Sequence, residues 1–282
     1  MGSIIDGRKI AKKIKHELKT VIEQEHLSPG LVVISVGHND ASEVYIRQKG
    51  KAARAIGIDF RRLQFEHIGT DELLNHIDKL NNDPLVHGIL VQLPLPDGID
   101  EERIMMSIAP EKDVDGFHPI NYGRLLIGEG GEGGRVSGLA PCTPKGIMTM
   151  LDHEGVEMQG KEVVIVNHSN IVGKPLALMF LNRNATVTVC HVFTKDLGAH
   201  TRKADILVTG AGVPNLITSD MVKEGVVIVD VSMNRVDGSL CGDVAFDEVK
   251  EKSALITPVP GGVGPMTVAI LMKNTVDAAR SC

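Results

Sequence analysis

The feature that most constrains how this chain folds is a set of short, unbroken apolar runs separated by stretches of helical composition. LVVISV (31–36), HGILV (87–91), VVIV (163–166), DILVTG (205–210), VVIVDV (226–231) and ALITPV (254–259) are rich in β-branched residues. Strands with no polar alternation are buried on both faces, as in parallel sheets covered by helices. IDFRRLQF (58–65) and TVTVC (186–190) add strands of mixed character. Residues 41–56 have helical composition and end at Gly57, a natural C-cap. The pattern predicts further helices over 71–80, from about Gly173, and from after PVPGGVGPMT to about Ala279. Strands alternating with helices give parallel sheets with right-handed crossovers. The expected fold is therefore α/β, in two units joined near 139–145, with the last helix returning to the first.

Other segments resist regular structure. QLPLPDG, after HGILV, cannot continue a ladder or a helix because its prolines lack a donor. Residues 109–146 read as mostly irregular. Within them GEGGEGGR (128–135) reads as a surface loop, since no Lys-Ser/Thr follows to make a phosphate loop. The basic stretch from Lys9 to Lys19, interleaved with Ile10, Ile14 and Leu18, reads as one solvated face of an amphipathic helix.

Composition narrows the functional classes. At 282 residues the chain is long enough for two cores. A net charge of −6 with 3% aromatic residues argues against a nucleic-acid partner, which needs clustered positive charge and stacking platforms. No apolar run approaches the roughly 18 residues needed to cross a bilayer, so no membrane partner is expected. Cys142, Cys190, Cys241 and Cys282 lie far apart and form no Cys-x-x-Cys pair. His38, His67, His76, His87, His118 and His153 show no ligand spacing. Neither a metal site nor a disulfide framework is expected, which fits a reducing compartment. The reading is a soluble cytoplasmic protein acting on something small.

Residues 163–180, VVIVNHSNIVGKPLALMF, pose the sharper question. A turn between a parallel strand and a helix concentrates free N–H groups and the positive end of the helix dipole, where a pyrophosphate fits. Two of the glycines usual in such a turn are missing. Asn167 stands at the first, and asparagine is the non-glycine residue that best tolerates left-handed backbone. Ser169 is placed to cap the helix or bond a phosphate, Gly173 to let helix and strand approach closely, and Pro175 suits an early helical position. By itself this pattern leaves open a connection with no ligand. An NAD site places a carboxylate at the end of the next strand for the ribose hydroxyls. Here that strand ends Val189-Cys190-His191-Val192, with His168, Lys174, His191 and Lys195 available to a 2′-phosphate. NADP is favoured, and NAD stays open.

In the first half, Tyr45 and Lys49 stand four apart on one helical face. Alone, Lys49 reads as a solvated lysine. Tyr-x-x-x-Lys also occurs in short-chain dehydrogenases, but their N-terminal glycine-rich turn is absent. Around this pair the chain carries GILVQLPLP (88–96), KDVDGFHPINYGRL (112–125), PCTPKG (141–146), SNIVGKP (169–175) and PVPGGVGPMTVAIL (258–271). Together these closely resemble the bifunctional methylenetetrahydrofolate dehydrogenase/cyclohydrolase family, over essentially the whole chain.

The resemblance implies two α/β lobes with a cleft between them. Residues 1–139 plus 263–282 would form the folate-binding catalytic domain and 140–262 a Rossmann-like NADP-binding domain. It implies a homodimer, tetrahydrofolate derivatives as ligands, and two reactions: oxidation of 5,10-methylene-tetrahydrofolate with NADP, then hydrolysis of the methenyl product to 10-formyl-tetrahydrofolate. By the same resemblance Lys49 is the catalytic lysine, Gln92 assists it, Tyr45 stacks on the pterin and Asp115 anchors it. Leu93, Pro94, Pro260, Gly261 and Gly262 border the folate. The cofactor is assigned to Thr143, Asn167, His168, Ser169, Ile171, His191, Val192, Gly210, Ala211, Ser232, Met233, Asn234 and Thr267.

These residue types suit the chemistry. A pterin presents an exocyclic amino group beside a ring N–H, and one carboxylate accepts both. Read without the family, Asp115 is equally a turn-forming aspartate before Gly116, Tyr45 a half-buried core tyrosine, and Gln92 the polar end of a buried strand. Hydride loss from a carbon between two nitrogens leaves a cation, and hydrolysis then needs a base, so both steps favour a Lys49 kept out of bulk water.

Three departures fall in the cofactor half. The family commonly has Gly-Arg-Ser where this chain has Asn167-His168-Ser169, a polar or basic residue at Val192, and Asp-Val-Gly-Ile-Asn where this chain has Asp230-Val231-Ser232-Met233-Asn234. The altered turn leaves a non-catalytic folate- or nucleotide-binding relative as one alternative; a monofunctional NAD(P)-dependent dehydrogenase is another, since sequence does not report the relative rates of the two steps.

Overall fold

A computed structural model describes residues 2–128 and 138–281. In chain order they form β1 (Ser3–Ile4), α1 (Gly7–Gln24), β2 (Gly30–Val36), α2 (Asp40–Ala55), β3 (Asp59–Phe65), α3 (Thr70–Asn81), β4 (Gly88–Val91), α4 (Glu101–Ser107) and α5 (Pro119–Leu126). After the tract that follows Gly128 come α6 (Cys142–His153), β5 (Glu162–Val166), α7 (Gly173–Leu181), β6 (Thr186–Cys190), α8 (Leu197–Thr201), β7 (Ile206–Thr209) and β8 (Val227–Asp230). The chain ends with β9 (Asn234–Val236), β10 (Ser239–Cys241), α9 (Phe246–Lys252), β11 (Leu255–Ile256) and α10 (Val263–Arg280). The surface loop expected over 128–135 lies, beyond Gly128, outside the described residues.

Backbone proximity divides the chain into two compact units. One holds residues 12–127, 138–142 and 268–281, the other residues 2–11 and 143–267. The first eleven residues, expected with the folate-binding half, thus group with the second unit, where β1 pairs in parallel with β11.

The first unit is built on a three-stranded parallel sheet in the order β3-β2-β4. The apolar run of β2 is explained by two-sided burial. Leu31 and Val33 pack with Ile46, Ala53, Leu90 and Ile270 on one face. Val32 and Ile34 pack with Leu73, Ile77, Ile89 and Ile104 on the other. Fully burying one such side chain contributes about 1.5–3 kcal/mol, so a polar residue at any of these positions is costly. Helix α2 starts where Asn39 accepts the Ser42 N–H at 3.0 Å and stops before Gly57, whose φ of +92° suits a residue without a Cβ. The bidentate Arg62–Glu43 pair, with Arg62 Nε also donating to Ser35 Oγ at 3.2 Å, ties α2 to the sheet.

The second unit holds six strands, all parallel, in the order β1-β11-β8-β7-β5-β6. Three expectations need refining. Among the described residues of 109–146 most are irregular, as expected, but α5 lies within them and α6 begins at Cys142. Pro119 opens α5 and His118 Nδ1 caps it by accepting the Ile120 N–H at 3.1 Å, but Gly123 inside the helix hides the pattern. The strand in ALITPV shortens to Leu255–Ile256, because Thr257 Oγ1 instead accepts the Asp230 N–H at 2.8 Å. Helix α10 begins at Val263, inside PVPGGVGPMT, since a proline in the first turn, here Pro265, is tolerated.

Candidate active site

In an open parallel sheet, ligands bind beyond the carboxyl ends of the strands, where the strand order reverses. In the three-stranded sheet that place is beside β2, between strands that depart to opposite sides. Gln92 follows β4 there and is fixed by its own N–H, donated to Ile34 O at 2.8 Å. Its side chain is fixed as well: Nε2 donates to Leu93 O at 2.8 Å, and Oε1 accepts from Lys49 Nζ at 2.9 Å. Leu93 and Pro94 follow directly, joined by a cis peptide bond. Lys49 is half-buried, and Tyr45, one helical turn earlier on α2, is 39% exposed. The tyrosine is therefore no core residue.

The DVDG segment runs beside β4, with Ile89 N–H donating to Lys112 O at 2.8 Å. Here the structure separates the two aspartates. Asp113 is 1% exposed and forms the turn: Oδ1 accepts from Gly116 N (3.1 Å), and Oδ2 from His118 N (2.7 Å) and Asn121 Nδ2 (2.9 Å). The turn-forming role weighed for Asp115 thus belongs to Asp113. Buried Asn274 on α10 braces the segment, donating to Val114 O at 2.9 Å and Ala140 O at 3.1 Å. Gly116, at φ +80°, lies so close to Ala140 that a Cβ would meet its carbonyl carbon at 2.2 Å. Burial pushes the Asp115 pKa up. The Lys49 ammonium opposes this, the Asp113 charge adds to it, and the Cys142 thiol opposes it by hydrogen bonding. Asp115 is thus a half-buried carboxylate in the field of a cation. Burial likewise raises Tyr122, with Asp113 and Asp115 adding to the shift.

In the six-stranded sheet the order reverses beside β5, flanked by β6 and β7. The expected turn follows β5, but not as anticipated: Asn167 is absent from the residues with positive φ. Its side chain shapes the turn instead. Oδ1 accepts from Ser169 N (2.8 Å), Ser169 Oγ (2.7 Å) and Gly173 N (3.1 Å), while Nδ2 donates to Gly210 O at 2.6 Å across to the end of β7. An amide serves where a glycine was expected because it supplies the turn's bonds rather than its φ. Ser169 Oγ also accepts the Val172 N–H at 3.2 Å. Gly173 is needed for close approach, since a Cβ there would meet Asn167 O at 2.0 Å.

The exposed His168 and His191 bring their rings to 5.1 Å at the ends of β5 and β6, with Phe193 at 6.0 Å from His191. Ile171 is 47% and Val192 85% exposed. Lys174 Nζ is held by Asn170 Oδ1 at 2.7 Å. Thr143 and Thr267, far apart in sequence, share a hydroxyl hydrogen bond of 2.9 Å. Ser232 Oγ accepts the Gly212 N–H at 3.1 Å, tying the segment after β8 to the loop after β7; Met233 is exposed and Asn234 half-buried. Pro260 is exposed, while Gly261 and Gly262 are buried, Gly261 O accepting the Arg8 N–H at 3.2 Å.

Sequence reasoning missed a buried acidic pair, Asp230 and Asp243. Asp243 is fully buried and accepts from the loop after β7 and from Asn234. Burial pushes Asp230 up to about 7, with the Asp243 charge adding to the shift against bonds from the Val244 and Ser232 N–H groups. Also missed was the β9–β10 hairpin, whose signal was legible: Asp237-Gly238, both at positive φ, is a strong hairpin dipeptide. Among the described residues no group of three or more His, Cys, Asp or Glu could hold a metal ion.

Parallel sheets with a phosphate-type turn at one reversal point, and a paired lysine, amide and carboxylate at the other, define an α/β enzyme with a nucleotide-binding domain. Two family models match: "Tetrahydrofolate dehydrogenase/cyclohydrolase, catalytic domain" over residues 5–115 and its "NAD(P)-binding domain" over residues 141–282. The bifunctional protein FolD of Halothermothrix orenii is 54% identical over 285 residues, covering 99% of this chain and 99% of the relative. The crystal structure of the bifunctional FolD methylenetetrahydrofolate dehydrogenase/cyclohydrolase of Campylobacter jejuni superposes with a TM-score of 0.95 at 49% identity, covering 100% of this chain and 99% of that one. The Trypanosoma brucei enzyme, crystallised with NADP and an inhibitor, gives 0.92 at 37% identity, covering 99% and 98%. The chain belongs to the tetrahydrofolate dehydrogenase/cyclohydrolase family.

Proposed function

We propose that this protein oxidises 5,10-methylene-tetrahydrofolate to the methenyl form with NADP and hydrolyses that product to 10-formyl-tetrahydrofolate. The observation that carries the reading is the 2.9 Å bond from Lys49 to Gln92, beside an Asp115 carboxyl raised by burial. Asp115 accepts the pterin's amino group and ring N–H. A half-buried carboxylate gains more from two such donors than a fully hydrated one. Tyr45 offers its exposed ring as the stacking face. Leu93, Pro94, Pro260, Gly261 and Gly262 complete the folate residues.

In its neutral form the Lys49 amine takes a proton from the water that attacks the methenyl carbon, becoming the ammonium, and Gln92 holds it in place. The amide suits that task, because one end is fixed to the backbone of Leu93 and the other accepts from the amine.

The nicotinamide cofactor is assigned to Thr143, Asn167, His168, Ser169, Ile171, His191, Val192, Gly210, Ala211, Ser232, Met233, Asn234 and Thr267. NADP is preferred over NAD because β6 ends in Cys190-His191-Val192, with no carboxylate for the ribose hydroxyls. The neighbouring His168 and His191 rings offer donors to a 2′-phosphate. We further propose a cytoplasmic homodimer feeding one-carbon units to purine biosynthesis; light scattering on the purified protein checks the dimer.

The experiment is direct. Purified protein is given methylene-tetrahydrofolate with NADP or NAD, and methenyl absorbance is followed. Rise and decay support both activities. Accumulation without decay supports a monofunctional dehydrogenase, and silence with both cofactors refutes the proposal.

A further inference from the structure

The segments assigned to the cofactor after β7 and β8 are surface loops: Ala211, Gly212, Val213 and Met233 are all exposed. Polar bonds hold them: Gly212 N–H donates to Ser232 Oγ, Asn167 Nδ2 donates to Gly210 O, and above all one buried carboxylate accepts from them. Asp243 Oδ2 accepts from Thr209 Oγ1 (3.0 Å), Ala211 N (2.6 Å) and Gly212 N (3.3 Å). Its Oδ1 accepts from Val213 N (2.9 Å) and Asn234 Nδ2 (3.0 Å). Asp243 is itself anchored, its carbonyl accepting the Ile217 N–H at 2.9 Å. It therefore ties the end of β7 to the segment after β8 while presenting nothing to solvent.

We propose that Asp243 is a positioning residue for the nicotinamide cofactor, acting through these two loops. The proposal rests on the reading that Gly210, Ala211 and Ser232 to Asn234 border the cofactor. Consecutive N–H groups on an exposed loop would ordinarily form an anion nest. Here those of residues 211–213 all turn inward to the Asp243 charge, so the loop offers the cofactor carbonyls and apolar surface instead of phosphate donors. Phosphate binding falls to the turn at 167–169. Ordering both loops before the cofactor arrives lowers the entropy lost on binding. Cyclohydrolysis consumes no nicotinamide, so the protein carries its own internal control.

The test uses Asp243→Asn, which turns an N–H donor toward backbone N–H groups. The NADP Kd, read by calorimetry, and the dehydrogenase KM for NADP rise at least about tenfold, equivalent to about 1.4 kcal/mol. The kcat and KM for methenyl-tetrahydrofolate hydrolysis stay unchanged. An unchanged NADP Kd overturns the proposal. So does a parallel loss of both activities at constant NADP KM, which marks a merely structural role. If Asp243→Asn does not fold, Thr209→Val removes one donor from outside the loops. It raises the NADP Kd by about threefold, the scale of one modest hydrogen bond, and no rise overturns the proposal.

Amide exchange in the unaltered protein tests the underlying reading separately. NADP slows exchange at Met233 and Asn234 if these residues border the cofactor. No protection there refutes that reading and the proposal with it. Protection combined with an unchanged variant Kd refutes the proposal alone.

Discussion

Lys49 on α2 and Gln92 at the end of β4 meet in a 2.9 Å hydrogen bond, the amine donating and the amide oxygen accepting. Forty-three positions apart in the chain, they are joined because α2 packs on the sheet that ends in Gln92. The amide fixes the amine's direction without competing for its proton. Four expectations follow from this and the neighbouring geometry.

Lys49→Met keeps the length and apolar stem of the side chain but removes the base. Methenyl-tetrahydrofolate hydrolysis falls at least about 100-fold, the lower range of general acid–base catalysis. Circular dichroism and Tm stay near the unaltered values. Full hydrolase activity in this variant defeats the assigned role.

Asp115→Asn retains one acceptor and turns a donor toward the pterin. Losing charged hydrogen bonds worth about 1.5–3 kcal/mol raises the folate KM roughly 10- to 100-fold. The NADP Kd does not move, which separates this effect from damage to the fold. Burial raises the Asp115 pKa, and only the ionised carboxyl accepts both pterin donors. Folate affinity therefore weakens on acidification at pH values above the ordinary carboxylate range. A folate KM that is flat across that range counts against the assignment.

Asn167→Ala strands the N–H groups of Ser169 and Gly173 and the carbonyl of Gly210. Unsatisfied groups cost about 1–3 kcal/mol each when cut off from water, so Tm drops and NADP binds about tenfold more weakly. Gly at 167 gives no rescue, because the turn uses the side chain's bonds. Recovery by Asn167→Gly contradicts that account.

Asp230 makes stability depend on pH. Burial pushes its native pKa up to about 7, well above the ordinary carboxylate range, so the folded form holds the proton more tightly than the unfolded form. The stabilisation is fully present below about pH 4 and is lost as pH rises through about 7. The span is up to roughly 4 kcal/mol, at about 1.4 kcal/mol per unit. Denaturant unfolding between pH 5 and 8 shows a decline that is reduced in Asp230→Asn. Identical profiles for the two proteins exclude Asp230 as the source.

Much of the fold was legible because burial leaves a local signature. LVVISV is apolar at every position but Ser35 since β2 is covered on both faces, and that requirement is written residue by residue. Gly57 marks the end of α2 for an equally local reason. α5 was not legible, because Gly123 breaks its pattern and its start depends on the His118 cap. Nor was the membership of β1, a two-residue strand defined only by pairing with β11, some 250 positions on.

The candidate site divides the same way. The sequence by itself determined which chemical groups are present, and the resemblance carried by its motifs pointed to Lys49, Gln92 and Asp115 as candidates. Tertiary structure alone decided that Asp113, not Asp115, closes the DVDG turn, that Asn167 works through its amide, and that Asp243 gathers two distant loops. The reason is physical. A residue's type and backbone preference are local properties, whereas the partner of a carboxylate or amide depends on which strands the sheet order places side by side.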